Sequence, residues 1–133
     1  TNAWRSLAML LGHWQLRGFG MWALELKETG EFVGRAGLMY PDGWPDLELG
    51  WMLKPTHRHQ GYATEAGNAT LDFAWTQLRA PRVISLVRIG NEASDRLAER
   101  LGGEHIENID FYGSNSHVFA YYPPHRERHR AYA

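Results

Sequence analysis

The chain has 133 residues, 44% of them apolar and 22% charged, which is enough for one domain with its own core and too little for two. Fourteen basic against fifteen acidic residues give a formal charge of -1, which argues against a nucleic-acid binder, because such domains carry a positive excess. Cysteine is absent, so disulfide frameworks, thiol nucleophiles and thiolate metal sites are excluded together, and the cytoplasm is the default location.

The first predicted element is a helix. Residues 3–14 carry Trp4, Leu7, Ala8, Leu11 and Trp14 at 3-4 spacing, with Asn2 as the expected N-cap and Gly18 beyond the end. The apolar run within it, residues 7–11, is far short of the ~20 residues a bilayer span needs, so no membrane partner is expected. The chain opens on Thr1 rather than methionine, which reads as a processed or trimmed start, or as a fragment. Residues 21–27 alternate, Glu28-Thr29-Gly30 is a turn, and residues 32–40 resume an extended pattern, so 21–40 reads as a hairpin. A loop with Asp42-Gly43 follows. Leu47, Leu49, Trp51 and Leu53 then alternate with Glu48, Gly50, Met52 and Lys54 in a third strand that Pro55 ends.

Helical spacing returns over residues 62–78, and Pro81 stops it. Residues 83–89 are rich in β-branched and apolar side chains, the composition of a central strand. Residues 91–101 form a further helix with Leu97, Ala98 and Leu101 inward, ended by Gly102-Gly103. Residues 104–111 and 118–122 are two closing strands, and Pro123-Pro124 ends the fold. The reading is a domain over 1–124 and a polar tail over 125–133. Strand-helix-strand units in the middle imply an α/β (α+β) architecture, a mixed sheet with helices packed on it.

The sharpest local feature is Arg58-His59-Gln60-Gly61-Tyr62-Ala63-Thr64-Glu65, between a strand end and a helix start. Glycine lets a backbone approach a ligand closely, and a helix start offers unpaired N–H groups and partial positive charge, so the segment suits a pyrophosphate. It also reads simply as a strand-to-helix turn that needs one glycine. It is neither G-x-G-x-x-G nor a P-loop. His57 and His59 lack a third ligand, so no metal is expected.

R-x-x-G-x-A in this setting resembles the acetyl-CoA loop of the GNAT superfamily of N-acetyltransferases, in the bacterial-type branch of the ribosomal-protein N-terminal acetyltransferases (RimJ and RimL). Glu48-Leu49-Gly50-Trp51-Met52-Leu53 resembles that branch's fourth strand, and Asn91-Glu92-Ala93-Ser94 followed by Leu97 to Gly102 resembles its next strand exit and helix. The resemblance covers residues 4–122 and implies the GNAT fold, a mostly antiparallel mixed sheet flanked by helices. The family's usual first strand and first helix have no counterpart, so the first helix here matches its second, and an open sheet edge is left on which a homodimer could form.

The resemblance further implies transfer of acetyl from acetyl-CoA to a primary amine, a protein N-terminus or a small amine, by direct attack. It places the base at Glu48 and assistance to the leaving thiolate at Ser94, because the position where many members carry a tyrosine is Ala98. It places the cofactor on Arg58, His59, Gln60, Gly61, Tyr62, Ala63 and Thr64, on Asn91, which would touch the pantetheine amides or cap its helix, and on a backbone N–H near Met52, Leu53 and Lys54, which would receive the thioester carbonyl oxygen where the family's strand bulges apart from its neighbour. Trp22, Tyr40, Trp44 and Trp51 flank the implied acceptor site. A glutamate on a strand face and a serine at a helix start also have plain structural readings. The alternative function is a non-catalytic CoA-binding or sensor module, and a scaffold completed by a partner strand is a third reading.

Overall fold

Thr1, not Asn2, caps the first helix. Its hydroxyl accepts the Trp4 amide at 3.2 Å, so α1 runs Asn2–Arg17 and Asn2 falls inside it. Gly18 closes α1 at φ 78°, with its N–H on the Trp14 carbonyl. The structure, a computed structural model, describes residues 1–124, and the expected tail at 125–133 lies outside them. Strands β1 (Met21–Glu25) and β2 (Phe32–Met39) form the expected hairpin, and β3 is Glu48–Leu53. A 3-10 turn, Pro55–His57, leads to α2 (Tyr62–Thr76), then β4 (Val83–Arg88), α3 (Glu92–Arg100), β5 (Glu104–Phe111) and β6 (Ser114–Tyr121).

The last strand starts four residues earlier than the sequence suggests. Tyr112 and Gly113 both have positive φ, 50° and 81°, the backbone of a tight two-residue hairpin turn. Such turns favour asparagine or aspartate before the glycine, and tyrosine there hides the signal.

The six strands lie in the order β1-β2-β3-β4-β6-β5. Every neighbouring pair is antiparallel except β3 with β4, so the sheet is mixed and mostly antiparallel. β4 is interior, as its composition predicts. β1 is an edge strand whose outer side meets no further strand among the described residues. Among those residues no helix is long and apolar enough to cross a membrane.

The core lies between the sheet and the pair α2 and α3. Leu38, Leu49, Val83 and Val87 from the strands meet Leu71 and Ala74 of α2, Leu97 and Ala98 of α3, and Leu101 at the C-cap of α3. Each such leucine contributes roughly 1.5–3 kcal/mol by leaving water. Alternation fixes the faces: Leu49 and Trp51 turn to these helices, and Glu48, Gly50 and Met52 to the opposite face.

The parallel pair is joined only at its start. Ile84 N–H donates to the Leu47 carbonyl at 2.9 Å, and one register pair, Glu48 with Ile84, follows. Beyond it the strands diverge, and side chains satisfy the backbone groups that the ladder leaves. Ser85 Oγ donates to the Leu49 carbonyl at 2.7 Å, and the Leu86 N–H donates to Glu48 Oε2 at 3.1 Å. The Tyr121 hydroxyl donates in turn to Ser85 Oγ at 2.9 Å. A gap therefore opens toward the carboxyl ends of β3 and β4.

Candidate active site

A cleft of about 430 Å³ lies at that open end, within the range of small-molecule sites. Trp51, Met52 and Leu53 of β3 form one wall, and Asn91, Ser94, Arg96, Leu97 and Arg100 form another. Arg58, His59, Gly61, Tyr62, Ala63 and Thr64 close the third side. Of the residues the sequence nominates for the cofactor, Lys54 and Gln60 do not reach this cleft. The Lys54 ammonium sits over the Phe32 ring and the Lys54 backbone N–H donates to the Val33 carbonyl, while Gln60 Nε2 donates to the Thr56 carbonyl.

Gly61 is the N-cap of α2 at φ 82°, ψ 1°, a left-handed conformation in which other residues are strained. A Cβ there would meet no protein atom within 4 Å, so it would project into open space beside the helix start. His59 is also left-handed, φ 64°. The α2 N–H groups carry no side-chain cap. With Arg58, Arg96 and Arg100 around them, they make a cationic cradle that fits a diphosphate. Arg96 and Arg100 are additions to the site that the sequence does not nominate. Their i, i+4 spacing is plain, but nothing local ties α3 to the loop that precedes α2.

Register decides which β3 amides are available. The Lys54 N–H bonds back to β2 through Val33. Antiparallel ladders alternate, so Met52 also faces β2, and the Leu53 and Trp51 N–H groups point to the side where β4 has moved away. Of the three amides nominated at Met52, Leu53 and Lys54, the Leu53 amide is the one turned to the gap.

Glu48 stands at the closed end of the gap. Its Oε2 accepts the Leu86 N–H, and its Oε1 accepts the Trp44 indole N–H at 2.9 Å. Burial pushes its carboxyl above the ordinary carboxylate range, and the two hydrogen bonds only partly oppose this. Its side chain leaves the face of β3 opposite the cleft and turns its carboxylate to the β4 backbone at the closed end of the gap.

Ser94 lines the cleft in the first turn of α3. Asn91 is the N-cap, its Oδ1 accepting the Ser94 N–H at 3.2 Å. Trp51 Nε1 donates to Ser94 Oγ at 3.2 Å, which leaves the serine proton free to be donated into the cleft. Ala98 is fully buried in the core and offers no acid. Among the other aromatics, Trp22 packs edge-on against Trp14 and Phe73, and Tyr40 lies under the Arg17 guanidinium. Among the described residues no three His, Asp or Glu side chains converge as a metal site would require.

A model of the acetyltransferase (GNAT) domain matches residues 1–104. The chain belongs to the GNAT acetyltransferase family. This GNAT chain is 34% identical over 94 residues to the Bacillus subtilis protein YkkB, an alignment covering 69% of the chain but only 55% of YkkB. It superimposes on the acetyltransferase of Agrobacterium tumefaciens str. C58 with a TM-score of 0.82 at 32% identity, covering 92% of this chain and 71% of that one. The ribosomal-protein-S5-alanine acetyltransferase of Vibrio fischeri shares the GNAT fold, with a TM-score of 0.75 at 14% identity over 92% of this chain and 72% of that one.

Proposed function

We propose that this GNAT domain transfers acetyl from acetyl-CoA to a primary amine. The observation that carries the reading is the divergence of β3 from β4, with a cationic cleft on the helix face and a buried carboxylate at the closed end. Acetyl-CoA supplies a thioester whose carbonyl carbon an amine attacks and whose sulfur leaves. Its diphosphate suits the α2 N-terminus with Arg58 and Gly61, and the Arg96 and Arg100 guanidiniums add positive charge beside it.

An amine must shed a proton before it attacks, and its ordinary pKa is about 10.4 on lysine or about 8 on an α-amine. Glu48 takes that proton, directly or through one water, and its raised pKa makes it a stronger base than an exposed glutamate. The Leu53 N–H faces the gap where the carbonyl oxygen gains negative charge, a contact worth roughly 3 kcal/mol. Ser94, accepting from Trp51, donates its proton toward the departing sulfur.

A thiolate leaves readily because its acid has a pKa of only about 8.5, so Ser94→Ala should lower kcat about tenfold and leave acetyl-CoA affinity within about threefold. Single-turnover kinetics beside calorimetric titration will separate the two effects. An unchanged kcat would remove Ser94 from the chemistry.

The test of the whole reading is thermal unfolding with acetyl-CoA, followed by turnover on a panel of alkyl amines, arylalkyl amines and peptides with free N-termini. Ligand at ~100 times its dissociation constant should add ~2.7 kcal/mol of stability. Stabilisation with acetylation of at least one amine class is expected. Stabilisation with no turnover on any amine would make the domain a CoA-binding module, and no stabilisation would sink the reading.

A further inference from the structure

Glu48 is held by two donors of different kinds. One is backbone, the Leu86 N–H. The other is a side chain on the loop between β2 and β3, the Trp44 indole N–H. A loop side chain can hold a fixed direction only if something else holds it. Trp44 is held by the far end of the sheet: its ring meets Phe111 edge-on at 4.8 Å and 82°, and lies 5.7 Å from Tyr112. Phe111 and Tyr112 themselves meet at 4.7 Å and 87°. Tyr112 does this from a left-handed backbone, φ 50°, which a bulky residue adopts only at a cost that surrounding contacts must offset. The β5–β6 turn thus braces a tryptophan whose N–H ends on the carboxylate.

We propose that Trp44 is a positioning residue for Glu48: braced by Phe111 and Tyr112, it fixes the carboxylate at the closed end of the β3–β4 gap by donating to Oε1. The inference rests on the proposed role of Glu48 as base. With Oε1 and Oε2 each bound to one donor, the carboxylate cannot rotate, and the remaining lone pairs have a fixed aim. The donor also favours the ionised form, so it holds the carboxyl lower than burial alone would. The other groups near Glu48 do not compete for this control. The Tyr121 phenol of β6 is held neutral by burial, and Asp46 on the same loop is paired with Arg82 at 2.8 Å.

Trp44→Phe keeps an aromatic ring for the stack and removes only the N–H. The direct readout is the titration of the Glu48 side-chain carboxyl by carbon NMR on glutamate-labelled protein, assigned by its loss in Glu48→Gln. The expected result is a Glu48 titration about one pH unit higher in Trp44→Phe, the size expected for losing a hydrogen bond to a charged group. The acid limb of turnover on the best amine of the panel should move by the same amount, with acetyl-CoA binding by calorimetry unchanged. A Glu48 titration unmoved in a folded Trp44→Phe overturns the proposal. Should Trp44→Phe unfold, Phe111→Leu, which loosens the brace but keeps the indole N–H, is read in its place, and a Glu48 titration unmoved there also overturns the proposal. Full turnover in Glu48→Gln would instead strike at the role of Glu48 and take the proposal with it, so the two failures are distinguishable.

Discussion

Glu48→Gln should lower acetyl transfer by about 10²–10⁴-fold, the range spanned by a positioned general base. The glutamine keeps the length and shape of the side chain but cannot take a proton from the amine. Acetyl-CoA should bind as before, because Glu48 leaves β3 on the face opposite the cleft and is not among the residues that line it. The pH profile carries the sign. A base works only as the carboxylate, so turnover rises with pH as Glu48 ionises. Because burial raises its pKa, that rise should lie above the ordinary carboxylate range, and it should vanish in Glu48→Gln.

Two controls keep the result readable. The substituted amide would turn its N–H₂ toward one of two donors, Leu86 N–H or Trp44 Nε1, so some loss of stability is expected and thermal unfolding must show the variant still folded. Raising the pH should speed the wild type and restore little to the variant until the amine deprotonates unaided. A variant that retains the wild-type rate and its acid limb would exclude Glu48 as the base. The proton would then have to leave by another route.

Gly61 stands out in the sequence because its signal is local, whereas Glu48 is nominated as a base only by the family resemblance. A glycine between a strand end and a helical repeat marks the cradle. A glutamate on a strand that otherwise alternates toward the core marks a polar position on the far face. What the sequence does not show is non-local. The β3–β4 divergence, which only the family resemblance implies, depends on a parallel register set across 36 residues, seen in the bond from Ser85 to Leu49, and no repeat or turn residue encodes it. The Trp51 bond to Ser94 spans 43 residues, and the Trp44 brace needs the β5–β6 turn to arrive beside the β2–β3 loop. The sequence therefore groups Trp51 with Trp22, Tyr40 and Trp44 beside the acceptor, although it bonds Ser94 on the cleft side. The shift of the first cap from Asn2 to Thr1 has a simpler cause. Both residue types cap helices well, and only the helix length chooses between them.

Gly61→Val should weaken acetyl-CoA binding about 100-fold, or ~2.8 kcal/mol. Two effects add. At φ 82° a left-handed L-residue costs roughly 1–2 kcal/mol, and a β-branched one more, so the loop would shift to relieve it and carry the α2 start out of line. Even where the loop held, the valine methyls would occupy the open space beside the helix-start N–H groups, the place proposed for a phosphate. Gly61→Asn separates the effects, because asparagine tolerates the left-handed region while still placing a Cβ in that space. If the space itself is the cradle, the asparagine variant will unfold at nearly the wild-type temperature without ligand, yet gain little from acetyl-CoA. If binding survives in Gly61→Asn and is lost only in Gly61→Val, the glycine serves the backbone alone. The anion site would then depend on the side chains of Arg58, Arg96 and Arg100 rather than on the helix start.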